Sequence, residues 1–315
     1  MKPDTPAQSA LKKCFTKQFC IIQENENKIK QRDGAECLHK FRISVRKTRA
    51  LLAHAKYVFP ERTILKFNRE FKLLAHKTCN LRDLDVYFNT LNKHRVSSQN
   101  NPDEMQYELY NYIYENKTRE EQGFLEYLNS GKYKKLKEDW VRILDKPASK
   151  HSSLKYADMP IDFVLKMGII KQSKKVFKQG SDIDLNTPYR NYHELRKTCK
   201  KLRYLLEYFS DLHPKKKIEF LIRALKKNQD ILGELQDCRI QIDILKNFIN
   251  AKKNENNYIE SSFNSIEFLI SKLDGKSLYI KSLYPDIFDE LSYKMEKKPY
   301  RKLFYNYKNI IDYGY

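Results

Sequence analysis

An eleven-residue pattern constrains the fold most, because it occurs twice. The copies are His39-Lys40-Phe41-Arg42-Ile43-Ser44-Val45-Arg46-Lys47-Thr48-Arg49 and His193-Glu194-Leu195-Arg196-Lys197-Thr198-Cys199-Lys200-Lys201-Leu202-Arg203. Both read H-x-x-R-x-x-x-[RK]-K-x-R, at an offset of 193 − 39 = 154 residues. On a helix that turns about 100° per residue, His39, Arg42, Arg46 and Arg49 fall within about 80° of one another. Phe41, Val45, Leu52 and Ala55 gather on the opposite face, so the segment can bury one side while holding its cations together on the other. The second copy repeats this, with His193, Arg196, Lys197, Lys200 and Arg203 on one side and Leu195, Cys199, Leu202, Leu206 and Phe209 on the other.

The same offset continues without a gap, pairing Arg69 with Arg223, Lys72 with Lys226, Leu81 with Leu235 and Asp83 with Asp237. The chain is therefore expected to be two versions of one helical unit in a single pseudo-symmetric domain. The first repeat covers about 5–145 and the second about 161–315, with a linker of about 146–160 that holds Pro147, a Ser/Lys/His run and Pro160. Only 8 Gly and 10 Pro among 315 residues leave few turns for an all-β protein, and a 41% hydrophobic content excludes wholesale disorder. An all-α fold follows, with a helix from about 35 to 59 stopped by Pro60 and another over about 189–212. In the second half, breaks are expected at Gly233, Asp274-Gly275 and Pro285.

Lys plus Arg number 61 against 40 Asp plus Glu, a formal charge of +21. Such a balance suits a polyanionic partner: nucleic acid, an anionic surface or inorganic polyphosphate. The six cysteines form neither a Cys-x-x-Cys pair nor a cluster with histidine at zinc spacing, so no disulfide scaffold, metal or cofactor is expected. No run approaches the roughly 18 apolar residues of a membrane helix, and the N-terminus lacks a signal-like apolar core. A reducing compartment, most simply the cytoplasm, is the expectation. A row of like charges is costly to desolvate and persists best where an anion fills it. Arginine supplies planar forks for phosphate oxygens and lysine supplies point charges.

On the two motif copies and the paired Arg69/Lys72/Asp83 and Arg223/Lys226/Asp237 sets, the sequence resembles the CHAD family, the conserved histidine α-helical domain. The likeness runs from roughly residue 5 to 275. It implies two pseudo-symmetric helical bundles forming one domain with a central basic channel. It also implies non-catalytic binding of inorganic polyphosphate, often at polyphosphate granules. Carried across position by position, it assigns phosphate contact to His39, Arg42, Arg46 and Arg49 and to His193, Arg196, Lys200 and Arg203. Lys197 lies on the second stripe and Lys47 and Lys201 at the margins of the stripes, and Arg69, Lys72, Arg223 and Lys226 would extend the channel along the next helix. Lys200 stands where arginine is typical, and Glu219 and Asp230 dilute the second half, so stronger binding is expected on the first half.

Some relatives carry a CYTH domain, which is missing here. Glu24-Asn25-Glu26-Asn27-Lys28 matches the E-x-E-x-K string of those triphosphatases, but it lies on a helix, where Glu24 and Glu26 point about 200° apart rather than together. An enzyme that processes polyphosphate is disfavoured further, because the motif has neither a glycine-rich phosphate loop nor clustered carboxylates for Mg²⁺. The alternative of another class is an RNA or single-stranded nucleic-acid binder whose basic C-terminal tail, 297–315 with five tyrosines, stacks on bases.

Overall fold

The computed structural model describes residues 1–97, 104–147, 153–213, 218–253 and 263–296, with the side chains of 93–97 and 104 excepted. Residues 98–103, residues 148–152 of the linker and the tyrosine-rich tail therefore lie outside the described residues. The rest is all-α. In order, the helices are α1 Ala7–Lys30, α2 Ala35–Leu52, α3 Glu61–Lys77, α4 Cys79–Ser97, α5 Glu104–Asn129, α6 Gly131–Asp145, α7 Ile161–Ser181, α8 Tyr189–Ser210, α9 Glu219–Lys253 and α10 Asn264–Glu296.

Shifting the first helices by 154 lays α1 on α7 and α2 on α8, and a pair of backbone bonds shows how the two halves meet. The Ala7 N–H donates to Met159 O at 2.8 Å and the Ile161 N–H donates to Thr5 O at 2.9 Å. Since 7 + 154 = 161 and 5 + 154 = 159, each bond is the other's counterpart, and Pro6 bridges Pro160 between them. Such reciprocity is what a local twofold axis produces. Counterparts also pack on one another elsewhere: α1 meets α7, α2 meets α8, and α4 meets α9. Buried residues of both halves form a main core, from Phe15, Phe41 and Trp140 to Leu205, Phe209 and Phe288, and a smaller cluster around Leu84, Ile113, Leu245 and Phe248. Trp140 stands edge-on to Phe15, Phe67 and Phe71, with ring centroids 5.1, 4.6 and 5.0 Å away.

The halves differ in how often their helices break. α3 ends at Thr78, whereas α9 runs straight through the corresponding Leu232-Gly233. Ser130 accepts a hydrogen bond from the Tyr133 N–H and starts α6, whereas α10 continues through Gly275 and the corresponding Tyr284-Pro285. The expected breaks at Gly233, Gly275 and Pro285 are thus not made. Glycine costs a helix interior about 1 kcal/mol and proline about 3. Around Pro285, burial of Ile280, Tyr284, Phe288 and Leu291 offsets that loss. α2 stops at Leu52, seven residues short of the expected Phe59, and Tyr57 turns the chain with φ +67°. The end of the linker is tied down: the Tyr156 N–H donates to Tyr57 O at 3.0 Å, and Tyr156 and Ala157 are buried.

Candidate functional site

α2 and α8 bury their apolar stripes as their sequences demand: Phe41, Val45 and Leu52 on one, Leu195, Cys199, Leu202 and Leu206 on the other. Because the helices pack together, the opposite stripes enter one electrostatic neighbourhood. The clearest witness is Lys200. Its ammonium group is lowered to about 6, first by burial and then by Arg196, Arg46, Arg203 and Arg42, two cations from each helix. Arg42 and Arg49 are each lowered by burial and next by Arg46. Arg196 is lowered by burial and, against the pull of Asp237, by Arg46 across the seam. Guanidinium groups stay charged under such perturbation, whereas a lysine near 6 is mostly neutral at pH 7.

Two carboxylates sit among these cations. Burial raises Asp83 and Asp237 above the ordinary aspartate value, and Asp237 raises Asp83 further, while Arg42 and Arg46 pull Asp83 down and Arg196 and Lys200 pull Asp237 down. As 83 + 154 = 237, these too are counterparts. The group is therefore an excess of cations around a central pair of acids, assembled from α2, α4, α8 and α9.

The counterparts hold their charges differently. Arg42 is buried, and its Nη1 donates to Thr78 Oγ1 at 2.5 Å, while Thr78 Oγ1 donates to Ala75 O at 2.9 Å. This arginine thereby pins the end of α3. Leu232 replaces the hydroxyl for Arg196, whose Nε is buried without a hydrogen-bond partner and whose guanidinium lies over Gly233. His193 Nδ1 bonds Gln236 Oε1. His39 instead faces Arg82 at that position and is lowered by burial, then Arg82, Arg46 and Arg42. Lys47 Nζ pairs with Glu207 Oε2 at 2.9 Å, and Arg203 Nε lies 3.5 Å from Glu207 Oε1 without hydrogen-bond alignment.

Lys201 has Lys175, Arg49 and Lys197 as its cationic neighbours, and exposed Lys197 pairs with Glu194. Arg69, Lys72, Arg223 and Lys226 are exposed on α3 and α9, outside the set of cations that perturb one another, and Arg69 lies 3.6 Å from Glu70. Arg82, Gln236, Thr78 and Glu207 complete the site without belonging to the repeated motif. Arg82 and Gln236 occupy one position of the repeat, and Glu207 lies four residues after Arg203, so spacing marks those three. Nothing local marks Thr78. The E-x-E-x-K string behaves as a helix should: Glu24 is exposed and pairs with Lys28, while Glu26 is buried against Lys30, Lys137 and the Tyr133 hydroxyl.

A family model described as "CHAD domain" matches residues 13–246. No curated protein matches the sequence. Among solved structures, the chain is similar to the crystal structure of the CHAD domain from the plant Ricinus communis, at 18% identity and a TM-score of 0.73 over 93% of each chain. It is also similar to PptA from Streptomyces chartreusis, at 11% identity and a TM-score of 0.67, over 90% of this chain and 100% of that one. At such identities the likeness is one of fold.

Proposed function

The chain belongs to the CHAD-domain family, and from that premise we propose that the seam between α2 and α8 binds inorganic polyphosphate without turning it over. One observation carries the reading: burial, and after it the charges of Arg196, Arg46, Arg203 and Arg42 from both repeats, bring Lys200 to about 6. A phosphate chain entering the seam relieves that repulsion and restores the charge on Lys200. His39 and His193 flank the seam, Arg49 and Lys201 continue it, and Lys47 ties the halves together through Glu207. Placement in the cytoplasm, at polyphosphate granules, belongs to the same proposal.

Titration with long polyphosphate and with single-stranded RNA of equal charge, each at two salt concentrations, tests the reading. Polyphosphate affinity should fall steeply with salt and exceed that for RNA. Replacing Arg46 and Lys200 together by alanine should lower it about a hundredfold or more, because each lost charge-assisted contact is worth about 1.5–3 kcal/mol. Equal competition by RNA would overturn the polyphosphate assignment.

A further inference from the structure

The local twofold axis gives the seam two ends, and their charges do not match. At one end Lys47 and Arg203 share Glu207. The counterparts of these three residues are Lys201, Arg49 and Ala53, since 47 + 154 = 201, 203 − 154 = 49 and 207 − 154 = 53. Ala53 is exposed, and among the described residues no carboxylate pairs with Arg49 or Lys201. Glu207 therefore serves both cations of the first end, and the corresponding position at the second end holds no acid.

The helices beyond the two ends diverge in the same sense. α7 exposes Lys171, Lys174, Lys175 and Lys178, where α1 has Lys17, Cys20, Ile21 and Glu24. The α1 end opens into a groove whose lining mixes Lys17, Lys40 and Lys47 with Glu207, Asp211 and Glu219, three cations against three carboxylates. At the α7 end the cations reinforce one another. Arg46 acts on Arg49, and Arg49, Lys175 and Lys197 act on Lys201. Lys171 and Lys201 act on the buried His54. Glu194, on the same helix as Lys201, pairs with Lys197 and also acts on Lys201, against Arg49, Lys175 and Lys197.

We infer that the seam is a one-way site for a phosphate chain: the chain runs out over α7, along Arg49, Lys201, Lys175 and Lys171, while Glu207 closes the α1 end. The α7 face is thus an extended polyanion subsite that tells long chains from short ones. The inference rests on the polyphosphate reading, and chain length separates the two. Tripolyphosphate probes the centre of the seam, whereas long polyphosphate also occupies the α7 face.

The test compares three variants in binding titrations with both ligands at low salt. Lys171→Glu with Lys175→Glu should weaken long polyphosphate about tenfold or more and lower its salt slope by about one to two, with a much smaller loss for tripolyphosphate. Ala53→Glu, which installs the counterpart of Glu207 at an exposed position, should act in the same direction. Lys17→Glu, on the α1 face, should change long-chain affinity less than twofold. All four positions are on the surface, so far-UV circular dichroism and the unfolding midpoint should match the parent. A loss for Lys17→Glu as large as for the α7 pair would overturn the one-way inference and leave central binding standing. So would an α7 loss that is equal for long and short chains. Failure of the parent protein to bind either polyphosphate would instead remove the reading on which the inference rests.

Discussion

Arg42 and Arg196 occupy the same place in two copies of one helix pair, yet one is anchored and the other is not. Arg42 holds the Thr78 hydroxyl at the end of α3, whereas Arg196, with Leu232 at the position of Thr78, lies over Gly233 and keeps a buried Nε without a partner. The contrast recurs at Lys47, paired with Glu207, and Lys201, set among cations. After duplication the backbone plan was kept and the partners diverged. Each half engages some of its motif cations itself, Arg42 and Lys47 in the first and Lys197 and Arg203 in the second, so what differs is which positions are left for a ligand. The histidines differ too, with His193 bonded to Gln236 and His39 crowded by Arg82. The asymmetry is therefore a property of individual contacts, concentrated where α3 breaks and α9 does not.

The strongest way to break this comparison is to remove the two arginines one at a time. Arg42→Ala should cost about 1–2 kcal/mol more folding stability than Arg196→Ala, because a hydrogen bond from a charged donor to a buried hydroxyl is worth about 1.5–3 kcal/mol. A double-mutant cycle of Arg42→Ala with Thr78→Val, read by urea denaturation, should give a coupling of similar size. Equal losses for the two arginines, with no coupling to Thr78, would mean that the halves anchor their cations alike.

How much of this was legible in the sequence depends on the distance over which each feature is encoded. The two helices and their stripes are periodic and local, and both α2 and α8 bury the residues that periodicity assigns to the core. The meeting of the stripes was implied by the family resemblance, through its central basic channel. The continuity of α9 through Gly233 and of α10 through Gly275 and Pro285 was not legible. A glycine or proline signals a break unless tertiary packing outweighs about 1–3 kcal/mol, and the packing of Tyr284 and Phe288 is not written near Pro285. The expectation that the first half binds more strongly rested on Lys200, Glu219 and Asp230. How the halves share binding also depends on the paired state of Lys47, the bare position of Ala53 and the lysines of α7, and these depend on which residues face one another across the seam. That information lies in pairs of distant positions.

Lys200 offers a graded way to sharpen the comparison. Its folded value of about 6 lies below the ordinary lysine value of 10.5, so between these limits the unfolded chain binds more protons than the empty native protein. Stability of the empty protein should therefore rise as pH increases from about 6 toward 10. Polyphosphate favours charged Lys200, so binding takes up a proton and affinity should fall several-fold from pH 6 to pH 8. His39, also lowered by burial and by Arg82, adds to the same trend at the acid end. Lys200→Met should flatten both profiles, as followed by thermal unfolding and by titration across that range. A parent affinity independent of pH would show that Lys200 stays charged in the empty site and that the crowding is not felt.

The smallest expected effect tests why α9 is unbroken. A Cβ at Gly233 would lie 3.5 Å from Arg196 Nη2, an ordinary contact, and the helix there needs no positive φ. Gly233→Ala should thus gain up to about 1 kcal/mol from helix propensity without displacing the arginine. The corresponding residue of the first half is Cys79, which already carries a side chain, with Arg42 Nη2 3.9 Å from its Sγ. If Gly233→Ala stabilises the protein and leaves polyphosphate affinity unchanged, glycine is not what lets Arg196 lie over α9, and the missing hydroxyl at Leu232 alone separates the two arginines. If the variant loses stability or affinity, the close approach of the guanidinium to a bare helix backbone is itself part of how the second half keeps its cation available.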